Sequence, residues 1–157
     1  MEKNLHNIVD IEKYPINDLN SPKIKELIKK CKEDLDQYSC STIPNFILPK
    51  SIKIMNEELE KQLDDVYMSK ESINAYLYSK DDPDLPKDHP KRLFMKRYNG
   101  YLNSDCFPKD SEMKFLYETQ ELLNFVSACL GVSPIYRWAD PLACHAYNVM
   151  KPEGVLP

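Results

Sequence analysis

Glycine is nearly missing. The chain holds three, Gly100, Gly131 and Gly154, in 157 residues, where average usage of roughly 7% would supply about eleven. Tight hairpin turns draw on glycine for positive φ, so a many-stranded barrel is not expected in the first two-thirds, which should be mainly helical. Also missing is any apolar run approaching the 18 or so residues of a membrane span, and Met1-Glu2-Lys3-Asn4-Leu5-His6 lacks the basic and apolar segments of a secretory leader. Positive charge is not in excess: 21 basic residues are interleaved with 25 acidic ones for a net charge of -4, which excludes a basic face for nucleic-acid backbone. The cysteines, Cys31, Cys40, Cys106, Cys129 and Cys144, are odd in number and lack C-x-x-C spacing. That excludes a zinc ribbon and a dense disulfide framework. Together these absences predict reduced thiols, a cytoplasmic location, and neither a nucleic-acid nor a membrane partner.

What is present is an ordinary globular composition, 42% apolar and 29% charged, with the length of one domain over residues 1–157. Residues 1–20 are polar with isolated apolar positions and read as a loose arm or a short edge strand. Ser21-Pro22 supplies an N-cap and a first-turn proline, and Ile24, Leu27, Ile28, Cys31 and Leu35 then follow at helical spacing to about Gln37. Prolines break Thr42 to Pro49 into an extended edge segment. A second helix begins near Lys50, its stripe running Ile52, Met55, Leu59, Leu63 and Val66. Three prolines and four aspartates between Ser79 and Pro90 rule out a regular element there. The basic and aromatic cluster Lys91 to Tyr101 follows, with Asn99-Gly100 as a turn signal and a bound anion as its natural occupant. A third helix should run from Ser111 to Leu130 with Leu116, Leu123, Val126 and Leu130 on one stripe, and Gly131 closes it. Ile135 to Trp138 and Ala143 to Met150 read as two strands parted by Ala139-Asp140-Pro141, with Trp138 in the core.

Two stretches carry a family resemblance. Ile43-Pro44-Asn45-Phe46-Ile47-Leu48-Pro49 before an amphipathic helix resembles the entry to the first long helix of many iron(II)/2-oxoglutarate oxygenases. Tyr136-Arg137-Trp138-Ala139-Asp140-Pro141-Leu142, running on into Asn148-Val149-Met150-Lys151-Pro152-Glu153-Gly154-Val155-Leu156, is similar to the free-amino-acid halogenases and hydroxylases of that superfamily. The resemblance implies an α+β fold: N-terminal helices, then the first strands of a double-stranded β-helix (a jelly-roll, cupin-like barrel) whose remainder is not in this chain. It implies iron(II) and 2-oxoglutarate as cofactors and a free, cationic amino acid as substrate, hydroxylated or, with chloride, halogenated at an unactivated C–H bond. In the family a W-H-x-D or W-H-x-G motif comes next, its carboxylate or glycine separating hydroxylation from halogenation. The apolar ending Gly154 to Pro157 therefore reads as a chain cut just before its metal ligands, with the rest of the domain as its partner. The iron ligands, two histidines and a carboxylate on one face, are not in sight.

The resemblance singles out five side chains. Asn148 is expected to hydrogen-bond 2-oxoglutarate, with Met150 standing where relatives place a tyrosine; the plainer reading is that Asn148 satisfies a neighbouring backbone group. Arg97, and Arg92 beside it, suit the carboxylate of an amino acid because a guanidinium fork matches it in bidentate geometry. Singly, each arginine reads first as a solvated cation. His145 is a third substrate candidate. On a strand it would face away from Asn148, and Cys144 would face away from His145, which excludes the two chelating one metal. A noncatalytic helical adaptor and an inactive remnant of the oxygenase fold remain as alternatives.

Overall fold

The computed structural model describes residues 3–155, so the last two residues of the predicted lead-in lie outside the described part. Seven main elements follow in order: α1 (Pro22–Tyr38), α2 (Pro49–Glu60), β1 (Tyr67–Ile73), β2 (Met95–Asn103), α3 (Glu112–Glu118), α4 (Gln120–Leu130) and β3 (Ala146–Val149). The class is α+β: four helices and an antiparallel sheet in the order β1-β2-β3. Among the described residues no helix is long and apolar enough to cross a membrane.

α1 starts as its sequence dictates, with Ser21 accepting a hydrogen bond from the Ile24 amide and Pro22 in the first turn. It buries Ile24 and Cys31. α2 ends at Glu60, short of the expected Val66, and Leu63 stands exposed in a short 3-10 turn. The apolar stripe outlasts the helix because the chain must turn there to enter β1.

The larger correction is at the N-terminus. The segment expected as a loose arm or a short edge strand makes a single strand-like bridge and supplies Leu5, Ile8, Val9, Ile11, Tyr14 and Ile16 to the core, all buried. The arm is stitched to the segment before α2: Val9 bridges Ile47, the Asp10 amide donates to Phe46 O at 3.0 Å, and the Leu48 amide donates to Ile8 O at 2.8 Å. Tyr14 adds a phenol hydrogen bond to Pro44 O at 2.7 Å. That segment is not extended throughout as expected: Pro44-Asn45 forms a turn with Asn45 at φ 58°, and only the stretch around Ile47 pairs with the arm. Against it lie Ile24 and Cys31 of α1, Met55 of α2, Leu116 of α3, and Phe125 and Cys129 of α4. Phe46 stacks on Phe125 with centroids 6.0 Å apart. Burial pushes the Cys129 thiol up to about 12, and Cys31 beside it adds to the shift.

The expected single helix from Ser111 to Leu130 is two. Thr119 is extended (ψ 125°) and its hydroxyl donates to Phe115 O at 2.8 Å, so the peptide that would continue the helix points elsewhere. The break resets the rotational phase. Leu116 is buried from α3, Phe125 and Cys129 from α4, while Val126 and Leu130 of the predicted stripe are exposed. Gly131 closes α4 at φ 68°, as its position suggests.

The sheet contradicts the expectation of a helical first two-thirds, and the scarcity of glycine does not exclude it. β1 and β2 are joined not by a tight turn but by the long segment 74–94, and left-handed positions are filled by Ser39, Asn45 and Leu77. Asn99-Gly100 is no turn: both residues are buried in the middle of β2. Gly100 sits there because Met68 crosses it; a Cβ would lie 2.4 Å from Met68 Sδ and 2.5 Å from Val66 Cγ1. Ile135 to Trp138 is not a strand, and Trp138 is 67% exposed rather than core. Its extended-looking run carries too little alternation to earn a partner strand. β3 is shorter than expected because residues 141–145 form a turn before it.

Candidate functional site

Directly paired residues of an antiparallel sheet project to the same face, so the register assigns the side chains. Tyr67 of β1 pairs with Tyr101 of β2, and Tyr101 with Asn148 of β3; Ser69 pairs with Asn99, and Glu71 with Arg97. One face therefore carries Tyr67, Ser69, Glu71, Arg97, Asn99, Tyr101 and Asn148 through its middle, with the apolar pair Ile73 and Met95 at one end and Ala146 opposite Asn103 at the other. Asn148, Glu71 and Tyr67 are exposed on it. The Tyr67 and Tyr101 rings lie 5.3 Å apart and tilted by 55°. The other face, with Leu102 and Tyr147, packs on Phe107.

Within the polar face, Arg97 Nε donates to Asn99 Oδ1 at 2.9 Å. Asn99 is only 2% exposed, and its Nδ2 has no hydrogen-bond partner among the described residues. A buried amide ordinarily meets all its partners, so this asparagine is specialised toward the arginine. Sequence reasoning missed Asn99, Tyr101 and Tyr67 by reading Asn-Gly as a turn. The period-two pattern Arg97-x-Asn99-x-Tyr101 was the available signal.

The structure thus places Arg97 and Asn148 on one face of adjacent strands, but Asn148 stands opposite Tyr101, four residues and roughly 13 Å along β2 from Arg97 with Asn99 between. Met150 follows β3 directly and is exposed. Beyond it the chain folds back so that Val155 bridges Tyr98; Gly154 fits that return because a Cβ would meet Lys151 O at 2.8 Å and Tyr98 O at 3.1 Å.

Arg92 is not on this face's strands and its guanidinium is engaged. Nε and Nη2 donate to the two carboxylate oxygens of Asp81 at 2.9 and 2.8 Å, and Nη1 donates to Leu85 O at 2.9 Å. These bonds fasten the proline-rich loop 79–90. The Arg92 hydrogen bond holds the Asp81 carboxyl below the usual carboxylate range, so the fastening is complete above the ordinary carboxyl titration and is lost as pH falls through the lowered value. Arg92→Ala is expected to raise the rate of limited proteolysis within 79–90 several-fold at neutral pH, and wild-type protein should approach the variant's rate on acidification. Equal rates at neutral pH would show that the loop is held by something else.

His145 lies apart from Asn148 and Arg97. It is nine-tenths buried, with its ring 5.7 Å from Tyr117 of α3 and 6.2 Å from Phe107. Burial, and then the Lys114 ammonium, hold its pKa below the ordinary histidine value, while Glu118 opposes them. Nearby Tyr147 is pushed up by burial and by Glu58. Cys144 and His145 precede β3 rather than alternating within it, and Cys144 Sγ comes within 3.4 Å of His145 Nδ1. The expectation that they face apart is corrected by this turn.

An iron(II) centre of the facial type needs two histidines and a carboxylate converging on one point. Among the described residues no group of three His, Cys, Asp or Glu side chains is placed to hold a metal ion, so these residues do not fit the metal. Neither family models, nor curated proteins, nor solved structures give a match to this chain.

Proposed function

We propose that the polar sheet face is the ligand-facing wall of an iron(II)/2-oxoglutarate oxygenase that hydroxylates or halogenates a free, cationic amino acid, with β1 to β3 belonging to its double-stranded β-helix. The observation that supports this reading most is the co-facial placement of Arg97 and Asn148. Their sequence contexts suit different ligands, substrate carboxylate and 2-oxoglutarate, and the roughly 13 Å between them along the face leaves room for the two ligands side by side. Held at its inner nitrogen by Asn99, the Arg97 guanidinium keeps its two terminal nitrogens for a carboxylate, the bidentate geometry that favours arginine over lysine. Asn148 offers an amide on the next strand, opposite Tyr101. In this reading the iron ligands come from residues other than those described, and when bound the metal supplies the oxidising chemistry.

The test uses the full-length protein under anaerobic conditions. Titration with iron(II) and 2-oxoglutarate should develop the weak metal-to-ligand charge-transfer absorption of that complex, and Asn148→Ala should weaken 2-oxoglutarate binding by about 1 to 3 kcal/mol, the cost of leaving a buried partner unpaired. No absorption in the wild-type protein sinks the reading. Absorption with an unchanged affinity in the variant removes Asn148 from the site.

A further inference from the structure

We propose that Cys144 is a nucleophilic thiol with His145 as its base, a site for covalent modification by small soft electrophiles. The inference is independent of the oxygenase reading, because these residues lie away from the polar sheet face.

Geometry singles out this cysteine. Cys31 and Cys129 are buried, Cys40 is exposed, and Cys106 and Cys144 are half-buried; of these Cys144 alone meets an imidazole nitrogen, at 3.4 Å. Its other acceptor, Pro141 O, is farther at 3.8 Å. The turn that presents it is tied down: the Ser104 amide donates to Leu142 O at 3.1 Å, the Ser104 hydroxyl donates to Pro141 O, and the Leu142 amide donates to Asp140 Oδ1 at 2.9 Å. The imidazole is fixed between Phe107 and Tyr117. Nine-tenths buried, with no partner for Nε2 among the described residues, it has only Cys144 to serve.

The surrounding charges favour a neutral imidazole at pH 7. Burial and Lys114 disfavour its protonation, Glu118 opposes them, and Tyr147 next to it stays a neutral phenol. In the tautomer that carries the ring hydrogen on Nε2, Nδ1 has a lone pair facing the thiol and can take its proton. With an alkyl halide, sulfur forms the S–C bond as the C–halogen bond breaks and halide leaves with its electron pair. The S–H proton passes to Nδ1, and the imidazolium, steadied by Glu118, releases it to solvent. No oxidant or reductant is required.

The experiment is alkylation of the folded protein with iodoacetamide at pH 6.5, read for each cysteine by peptide mass spectrometry. Base assistance of this kind contributes roughly a hundredfold or more at its best, so Cys144 is expected to react at least about tenfold faster than Cys40 despite lower exposure. His145→Gln and His145→Asn should each bring Cys144 to or below the Cys40 rate while leaving Cys40 unchanged, with near-ultraviolet circular dichroism reporting the fold. Should both variants unfold, the wild-type pH profile decides. An assisted thiol keeps a nearly level rate from pH 8 to 6.5, whereas an ordinary thiol, titrating near about 8.5, slows roughly tenfold per pH unit. A Cys144 no faster than Cys40, a tenfold-per-unit slope, or an unchanged rate in a folded His145 variant overturns the proposal.

Discussion

Ile8→Ala is expected to destabilise the fold by about 2 to 5 kcal/mol, the range for deleting a buried isoleucine side chain beyond its β-carbon. Ile8 is 1% exposed and sits in the cluster that joins the arm to α1, α2, α3 and α4. Its carbonyl accepts from the Leu48 amide, so the backbone around it cannot easily collapse into the void. Ile52→Ala makes the same chemical deletion on the exposed side of α2 and should change stability by no more than about 0.5 kcal/mol. Urea unfolding of both variants is the measurement. A loss below about 1 kcal/mol for Ile8→Ala would return the first twenty residues to the status of a loose arm.

The second large effect is expected at Asn74, 2% exposed at the end of β1. Its Oδ1 accepts from the Tyr76 and Tyr78 amides, both at 3.0 Å, and its Nδ2 donates to Lys91 O at 2.6 Å. One side chain thus closes the 74–78 turn and fastens it to the approach to β2. Its neighbour Leu77 is held at φ 64°, a left-handed conformation costing a non-glycine residue about 1 to 2 kcal/mol, which the turn tolerates because Asn74 over-determines it. Asn74→Ala leaves three backbone groups short of partners at about 1 kcal/mol or more each. A loss near 3 kcal/mol in equilibrium unfolding, with earlier hydrogen exchange at the Tyr78 amide, is the expected result. Full retention of Tyr78 protection would place the turn's stability elsewhere.

Legibility in the sequence followed the kind of element. α1 and the close of α4 could be read because Ser21-Pro22 and Gly131 are local signals, set by backbone groups that the chain itself leaves unpaired at helix ends. The arm could not, because its buried residues at 5, 8, 9, 11, 14 and 16 fit no fixed period; irregular turns bury side chains at whatever spacing the turns impose. The break at Thr119 was hidden since apolar residues continue through it on both sides. At the candidate site, Arg97 and Asn148 were accessible as residue types, but their juxtaposition depends on which strands pair, a non-local fact. Asn99 escaped for the opposite reason: its dipeptide with Gly100 is a strong local turn signal, overruled by Met68 lying across the glycine.

The marriage of the N-terminal arm to α4 also sets an order of events at the ribosome. The arm is made first, yet its apolar side chains find Phe125 and Cys129 only after α4 has emerged. At a synthesis rate of about 5 to 20 residues per second, the interval from Ile16 to Leu130 is roughly 6 to 23 s. For that time the arm can meet Ile24, Cys31, Ile47 and Met55 but its cluster stays open on the side that α3 and α4 will cover, so nascent chains stalled before α4 expose that apolar face to chaperones and to aggregation.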